Sequence, residues 1–311
     1  MLSPVRRVFI GLFLLMLAWR EPAFAQVAAT SQLPASARFN QELLALTSAT
    51  QGVVGVALRD LSTGEEFSVN GERLFSQAGL SKIHVLAAFL RASDAGKVDL
   101  NEPHTLSPQD KLPGGILQRL GDRTVTMSLR DYASLMVATD DNSATNIILS
   151  RIGVGAVNDT LSALGSADIR FAGLITDPQN PEDNLASPCA LVRCLAALHR
   201  GQVLTPASRD EYFSMLSTPR AGPLRNAVPR HIRVASKSGI RGALRCTAGI
   251  VYLKNHPYVI TVMTQPPADD TGTDLDYTAT ISAISRLSYS YFSKLDPKEP
   301  SAPKTSSKER P

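Results

Sequence analysis

The apolar positions of this chain fall into two periods, and their order along the sequence predicts the architecture. Phe39, Leu43 and Leu46 recur at helical spacing. The next run, Val53 to Leu61, is β-rich; a Ser62-Thr63-Gly64 turn and a second run from Glu66 to Val69 complete a predicted hairpin. After Gly79 the apolar face passes to Ile83, Leu86, Ala87 and Leu90, which predicts a central helix with Gly79 at its start and Lys82 in its second turn. From Gly96 to about Leu198 the pattern is mainly helical, with segments such as Leu129 to Val137, Asn142 to Ile152 and Pro188 to Leu198 joined by Pro- and Gly-containing loops. β character returns at Ile232 to Ser236, Ala248 to Leu253 and Tyr258 to Met263, and a last helix carries Tyr277, Ile281, Ile284, Leu287 and Tyr291. Strands at both ends with helices between them predict an α+β fold: one antiparallel sheet formed by both chain ends with flanking helices, beside an inserted all-helical lobe.

The two termini read differently from this body. Arg6-Arg7, an apolar run from Val8 to Trp19 and an Ala23-Phe24-Ala25 site form the pattern of a secretory signal peptide, residues 1–25, which predicts export and no stable membrane insertion after cleavage. Residues 296–311 are rich in Pro, Ser and Lys without apolar periodicity and read as a disordered tail. The domain is therefore expected over 26–295, with an α/β lobe at about 38–78 and 220–295 and a helical lobe at about 79–219. A formal charge of +4 changes little, because its excess sits mostly in Arg6, Arg7 and Arg20 of the leader and Lys298, Lys304, Lys308 and Arg310 of the tail. The near-neutral body gives no reason to expect nucleic acid as a partner. Of three cysteines, Cys189 and Cys194 do not share a helix face; buried free thiols are expected, a bridge to Cys246 being the alternative. No Cys/His spacing forms a metal site, and no cofactor is implied.

Three short segments carry candidate chemistry: Ser76-Gln77-Ala78-Gly79-Leu80-Ser81-Lys82, Asp140-Asp141-Asn142 and Lys237-Ser238-Gly239. Their order, wide separation and setting resemble the three elements of class A serine β-lactamases and penicillin-binding proteins: Ser-x-x-Lys opening a helix, Ser-Asp-Asn, and Lys-Thr-Gly or Lys-Ser-Gly. The resemblance covers nearly everything from Phe39 to Phe292. It implies a β-lactam-recognising serine hydrolase fold with its site between two lobes, and an exported, periplasmic setting. Gly79 stands where that family has its nucleophile, and Asp140 where it has a hydroxyl proton carrier.

By the same resemblance Lys82 and Asp140 are the catalytic positions, while Asn142, Lys237, Ser238, Gly239 and Arg245 are the substrate-binding ones, Arg245 helping to hold a substrate carboxylate. Asp141 matches a structural aspartate. Asp140 would lie between Lys82 and Lys237, bridging two ammonium groups and repelling a substrate carboxylate. Ser81 lies about 200° round the helix from Gly79 and Ser76 precedes it, so neither is placed to replace the lost hydroxyl. The family's deacylating glutamate would sit near Phe171; the only glutamate between Arg170 and Pro188 is Glu182, in a segment whose Asp177-Pro178-Gln179-Asn180-Pro181 run reads as a rebuilt loop. The expected ligand is a β-lactam or peptidoglycan-like small molecule, with hydrolysis weak or absent. An active hydrolase using another nucleophile, a binding pseudoenzyme, and an engineered change at Gly79 remain the competing accounts.

Overall fold

Five strands form one antiparallel sheet in the order β2-β1-β9-β8-β7: β1 Val53–Asp60, β2 Glu66–Val69, β7 Val234–Arg241, β8 Leu244–Val251 and β9 Tyr258–Gln265. The sheet is thus assembled from both ends of the chain, as the two β-rich stretches predict. The computed structural model describes residues 33–173, 184–218, 220–267 and 277–296. The chain divides into two units, Met1–Arg38 and Phe39–Pro311, and everything that follows concerns the second. The proposed signal peptide, Glu182 with its Pro-rich run, and the tail beyond Asp296 lie outside the described residues.

Both faces of the sheet are covered, which explains why its strands read as apolar runs rather than as strict alternations. On one face Val54, Val56 and Leu58 of β1 pack with Phe39 and Leu43 of α1 (Ala35–Ser48) and with Ile281, Ile284 and Phe292 of the last helix, Tyr277–Leu295. Stacking of Tyr258 on Phe292, centroids 4.3 Å apart, ties the sheet to the last helix.

The other face carries α5 (Pro188–His199) and a core shared with the inserted helices α2 (Lys82–Asp94), α3 (Leu129–Ala138), α4 (Asn142–Ala163) and α6 (Pro206–Leu216). Every residue of α2 from Lys82 to Leu90 is buried. A helix enclosed on all sides needs apolar residues all round, and this is the central helix that the pattern predicts. The insert also contains a two-stranded ribbon, β4 Pro103–Leu106 with β5 Val125–Ser128, and Phe75–Ser76 (β3) pairs with Leu185–Ala186 (β6).

Among the boundaries that differ from the sequence expectation, three bear on the site or its supporting helices; the strand expected at Ala248 to Leu253 also shifts, to Leu244–Val251. Ala78–Ser81 winds as a 3-10 turn, so Lys82 opens the α-helix instead of sitting in its second turn. The helix predicted to end at Ile152 resumes after a kink at Gly153, whose φ of +79° breaks the helical path, and reaches Ala163. The strand predicted to stop at Ser236 runs to Arg241, placing Lys237-Ser238-Gly239 inside β7 rather than after it. All three cysteines are free; Cys194 and Cys246 are buried and Cys189 half-buried.

Candidate active site

The three candidate segments meet where β7 passes the 3-10 turn. The approach is close enough to demand glycine: a Cβ on Gly239 would lie 2.7 Å from the Gly79 nitrogen and 2.8 Å from Cys246 Sγ. α4 presents the third segment, capped by Asp141, whose Oδ1 accepts from Ala144 N at 2.9 Å and whose Oδ2 accepts from Leu117 N at 2.8 Å. Asp141 is fully buried and acts as scaffold.

Asp140, just before the cap, adopts a left-handed φ of +58°, a conformation that aspartate tolerates better than most residues. The turn aims both its carbonyl and its carboxylate at the neighbouring lysines. Lys237 Nζ donates to Asp140 Oδ1 at 2.6 Å and to Ser238 O at 2.8 Å. Lys82 Nζ donates to Asp140 O at 2.6 Å and Asn142 Oδ1 at 2.9 Å, and lies 3.0 Å from Asp140 Oδ1. An ammonium has three protons, so these three oxygens fill the donor capacity of Lys82. Asn142 is fixed from its other end by donating Nδ2 to Pro113 O at 2.7 Å.

Charge and burial set the protonation states. The two lysine side chains are 3% exposed and the Asp140 side chain 42%. Burial pushes the Lys82 ammonium down to about 8, with Asp140 pulling against that shift and Lys237 adding to it. Burial also pushes the Asp140 carboxyl up, but Lys237 and Lys82 outweigh it and hold the group below the usual carboxylate range. The result is an anion clamped between two cations.

Gly79 completes the picture by what its missing side chain leaves room for. A Cβ built there would lie 2.4 Å from Asp140 Oδ1, 2.7 Å from Oδ2 and 2.9 Å from Cγ. The Asp140 carboxylate fills the volume that any side chain at residue 79 would need. Gly79 is absent from the glycines with positive φ, so the backbone itself would accept a side chain, and the Asp140 carboxylate would have to shift to admit one.

A cavity of about 260 Å³ opens beside this cluster, lined by Asp140, Lys237, Ser238, Arg220 and the exposed Ile240 among others. Ser238 Oγ donates to Thr247 Oγ1 at 3.2 Å. Arg220 was not singled out from the sequence as a site residue; it reaches the cleft by donating to Val137 O and, at 3.2 Å, to Ser236 O. The signal available for it was the Arg-rich stretch Arg220 to Arg233. Arg245 does not line this cavity: its guanidinium donates to Gly242 O at 2.5 Å and Leu244 O at 2.9 Å, at the end of its own hairpin.

Neither alternative hydroxyl faces the lysines. Ser81 is buried and donates to Ala78 O at 3.1 Å, and Ser76 Oγ is buried with no hydrogen-bond partner in the described structure. Gln77 between them donates Nε2 to Leu185 O at 3.2 Å and meets His84 Nε2 at 2.8 Å, tying the 3-10 turn to the segment before α5. Burial pushes the His84 imidazole down to about 3, so it is neutral.

The profile of the Beta-lactamase enzyme family matches residues 38–292. This chain belongs to the β-lactamase enzyme family. It is 28% identical over 225 residues to an imipenem-hydrolyzing β-lactamase of Enterobacter cloacae, covering 68% of this chain and 76% of that one. A β-lactamase of Proteus vulgaris is 29% identical over 239 residues, 72% of this chain and 77% of the other. Among solved structures, the β-lactamase of Sphaerobacter thermophilus superposes with a TM-score of 0.75 at 28% identity, covering 85% of this chain and all of that one. PBP-A superposes with a TM-score of 0.71 at 27% identity over 82% and 96% of the two chains. Set in this family's fold, Lys82, Asn142 and Lys237 gather around the Asp140 carboxylate, and among the described residues neither ammonium donates to a hydroxyl.

Proposed function

We propose that this family member binds a small β-lactam-like or peptidoglycan-like ligand in the cleft beside Lys237 and Arg220, with acyl-enzyme hydrolysis weak or absent. One observation carries the reading: the Asp140 carboxylate occupies the volume that a side chain on Gly79 would fill. Acyl transfer needs a hydroxyl or thiol nucleophile and a base to receive its proton. Position 79 supplies no nucleophile, and the three Lys82 protons are directed at Asp140 and Asn142 oxygens. Asp140 also opposes the approach of a ligand carboxylate to Lys237. Arg220 and Arg225, which take no part in the lysine clamp, also line the cleft and offer guanidinium groups to an anionic group. The 1–25 leader pattern places the mature protein outside the cytoplasm, where such ligands occur; N-terminal sequencing of the secreted form, starting at Gln26, tests that part.

A second reading is favoured by the relatives, which are named as β-lactamases, and by the retained Lys82, Asn142, Lys237 and Ser238 frame. In it the protein hydrolyses β-lactams, or acts as a related serine esterase or peptidase, through another nucleophile. Incubation of the mature protein with a chromogenic cephalosporin and a fluorescent penicillin, with intact-mass analysis, separates the two. The proposed function expects neither turnover nor a covalent adduct, and saturable binding of penicillin by calorimetry. Turnover or a stable adduct overturns it and establishes the second reading.

A further inference from the structure

Next to the cleft, and beyond the function just proposed, lies a larger cavity of about 850 Å³ whose wall gathers four arginines among uncharged residues. Arg220, Arg225, Arg230 and Arg233 line it together with His231, and among the described residues no aspartate or glutamate does. None of the four arginines forms an ion pair among the described residues. This is unusual chemistry for a protein surface. Four like charges around one hollow repel each other, and folding gains nothing from gathering them without counter-charge.

The arginines are also held rather than floating. Arg225 donates to Ile232 O at 2.5 Å, Val228 O at 2.8 Å and Pro229 O at 2.5 Å, which curls the 228–232 segment around the cavity. Arg233 lies over the Tyr252 ring, 4.6 Å from its centroid, and donates Nε to Ser217 Oγ at 3.0 Å. Arg220 is half-buried and its guanidinium is fixed on Val137 O and Ser236 O. Arg230 and His231 are exposed at the rim, and among the described residues no hydrogen bond or ion pair occupies the Arg230 guanidinium. Neutral carbonyl, hydroxyl and ring partners orient these arginines, and only Arg220 feels a carboxylate, that of Asp140. Guanidinium forks bind planar or tetrahedral oxyanions through paired hydrogen bonds, and pre-orientation lowers the ordering cost of doing so.

We infer that this cavity is a binding site for a small oligoanion carrying two or more carboxylate or phosphate groups, gripped by Arg230 and Arg233 at the rim and by Arg220 at the junction with the cleft. Its volume suits a ligand of small-molecule size. The near-neutral charge of the body between leader and tail argues against a polyanion wrapped around the surface.

The test is calorimetric titration of the mature protein with inorganic tripolyphosphate and, separately, with tricarballylate, at about 50 and about 300 mM salt. Saturable binding of either, weakened by salt and by about tenfold or more in Arg230→Gln/Arg233→Gln, supports the site. Binding of the phosphate alone, the carboxylate alone or both tells which oxyanion it takes. Arg230→Gln by itself, an exposed change at a residue with no internal bond, guards against misfolding of the double variant and is expected to weaken binding by several-fold. Absence of binding to both probes at about 10 mM, or affinities unchanged in the variants, overturns the inference. Neither variant touches Gly79, Asp140 or the lysines, so the β-lactam assays above report independently.

Discussion

Restoring a serine at residue 79 tests the central geometric claim, because the simple expectation and the structural one point in opposite directions. If Gly79 alone accounted for lost chemistry, Gly79→Ser would recover acylation. The structure says that the new Cβ arrives 2.4 Å from Asp140 Oδ1, where ordinary contact starts near 3.4 Å, so the carboxylate must retreat by about 1 Å. Retreat loosens the bonds of 2.6 Å to Lys237 Nζ and 3.0 Å to Lys82 Nζ, and both ammoniums are buried. Breaking a buried pair outright costs about 3–5 kcal/mol, but Asp140 is partly solvated and the displacement partial, which brings the expected loss to about 1–3 kcal/mol. For a domain of this size that is a fall in Tm of about 2–10 °C. Gly79→Ser is therefore expected to melt lower than the parent and to form no adduct with a fluorescent penicillin by intact mass. Gly79→Ser/Asp140→Ser removes the obstruction and frees Lys82 to face a hydroxyl; it should take up one acyl group, while the two buried lysines, left without their counter-charge, keep its Tm below that of the parent. Strong turnover by Gly79→Ser alone with an unchanged Tm would refute the reasoning.

Two further expectations follow from buried titratable groups. Lys82 binds its proton less tightly in the folded protein, at about 8, than the ordinary lysine value of 10.5. Between those values the unfolded chain holds more protons, so this group makes stability rise with pH from about 8 to about 10.5, by up to ~3 kcal/mol. Lys82→Met should remove that rise; denaturant titrations of both proteins across the window check it, and parallel curves would show the assignment wrong. His84 runs the same way in acid. With the folded value near 3 against an ordinary 6.5, it withdraws stability as pH falls from 6.5 toward 3, at up to ~1.4 kcal/mol per pH unit. His84→Gln, whose amide keeps a donor for Gln77 Oε1, should flatten this acid limb, and an unaltered limb between pH 4 and 7 would contradict it.

Much of the fold was legible because the local patterns agree with the environment each element meets. The apolar runs at 53–61, 248–253 and 258–263 become strands covered on both faces, and the dense apolar sequence after Gly79 becomes the enclosed helix α2. The sequence also showed glycine at residue 79 and aspartate at residue 140, and spacing against a known family suggested that these changes belong together. Boundaries were less legible. A 3-10 turn and an α-helical turn share much the same residues, and Lys237-Ser238-Gly239 carries no apolar signal to extend a strand through it.

Tertiary structure alone decided the rest, because each remaining feature depends on distances between residues far apart in the chain. The sequence does not say that the left-handed turn at Asp140 points its carboxylate into the space above Gly79, nor that the protons of Lys82 all find acceptors. Arg220 and Arg245 look alike as letters; packing directs one to the cleft and folds the other onto its own hairpin. The arginine-rich stretch became a cavity only because Arg225 curls the backbone around carbonyls three, four and seven residues ahead. Composition and periodicity fix which faces are buried, through the free energy of removing apolar area from water. Which polar groups then meet is settled by side-chain geometry at ångström scale.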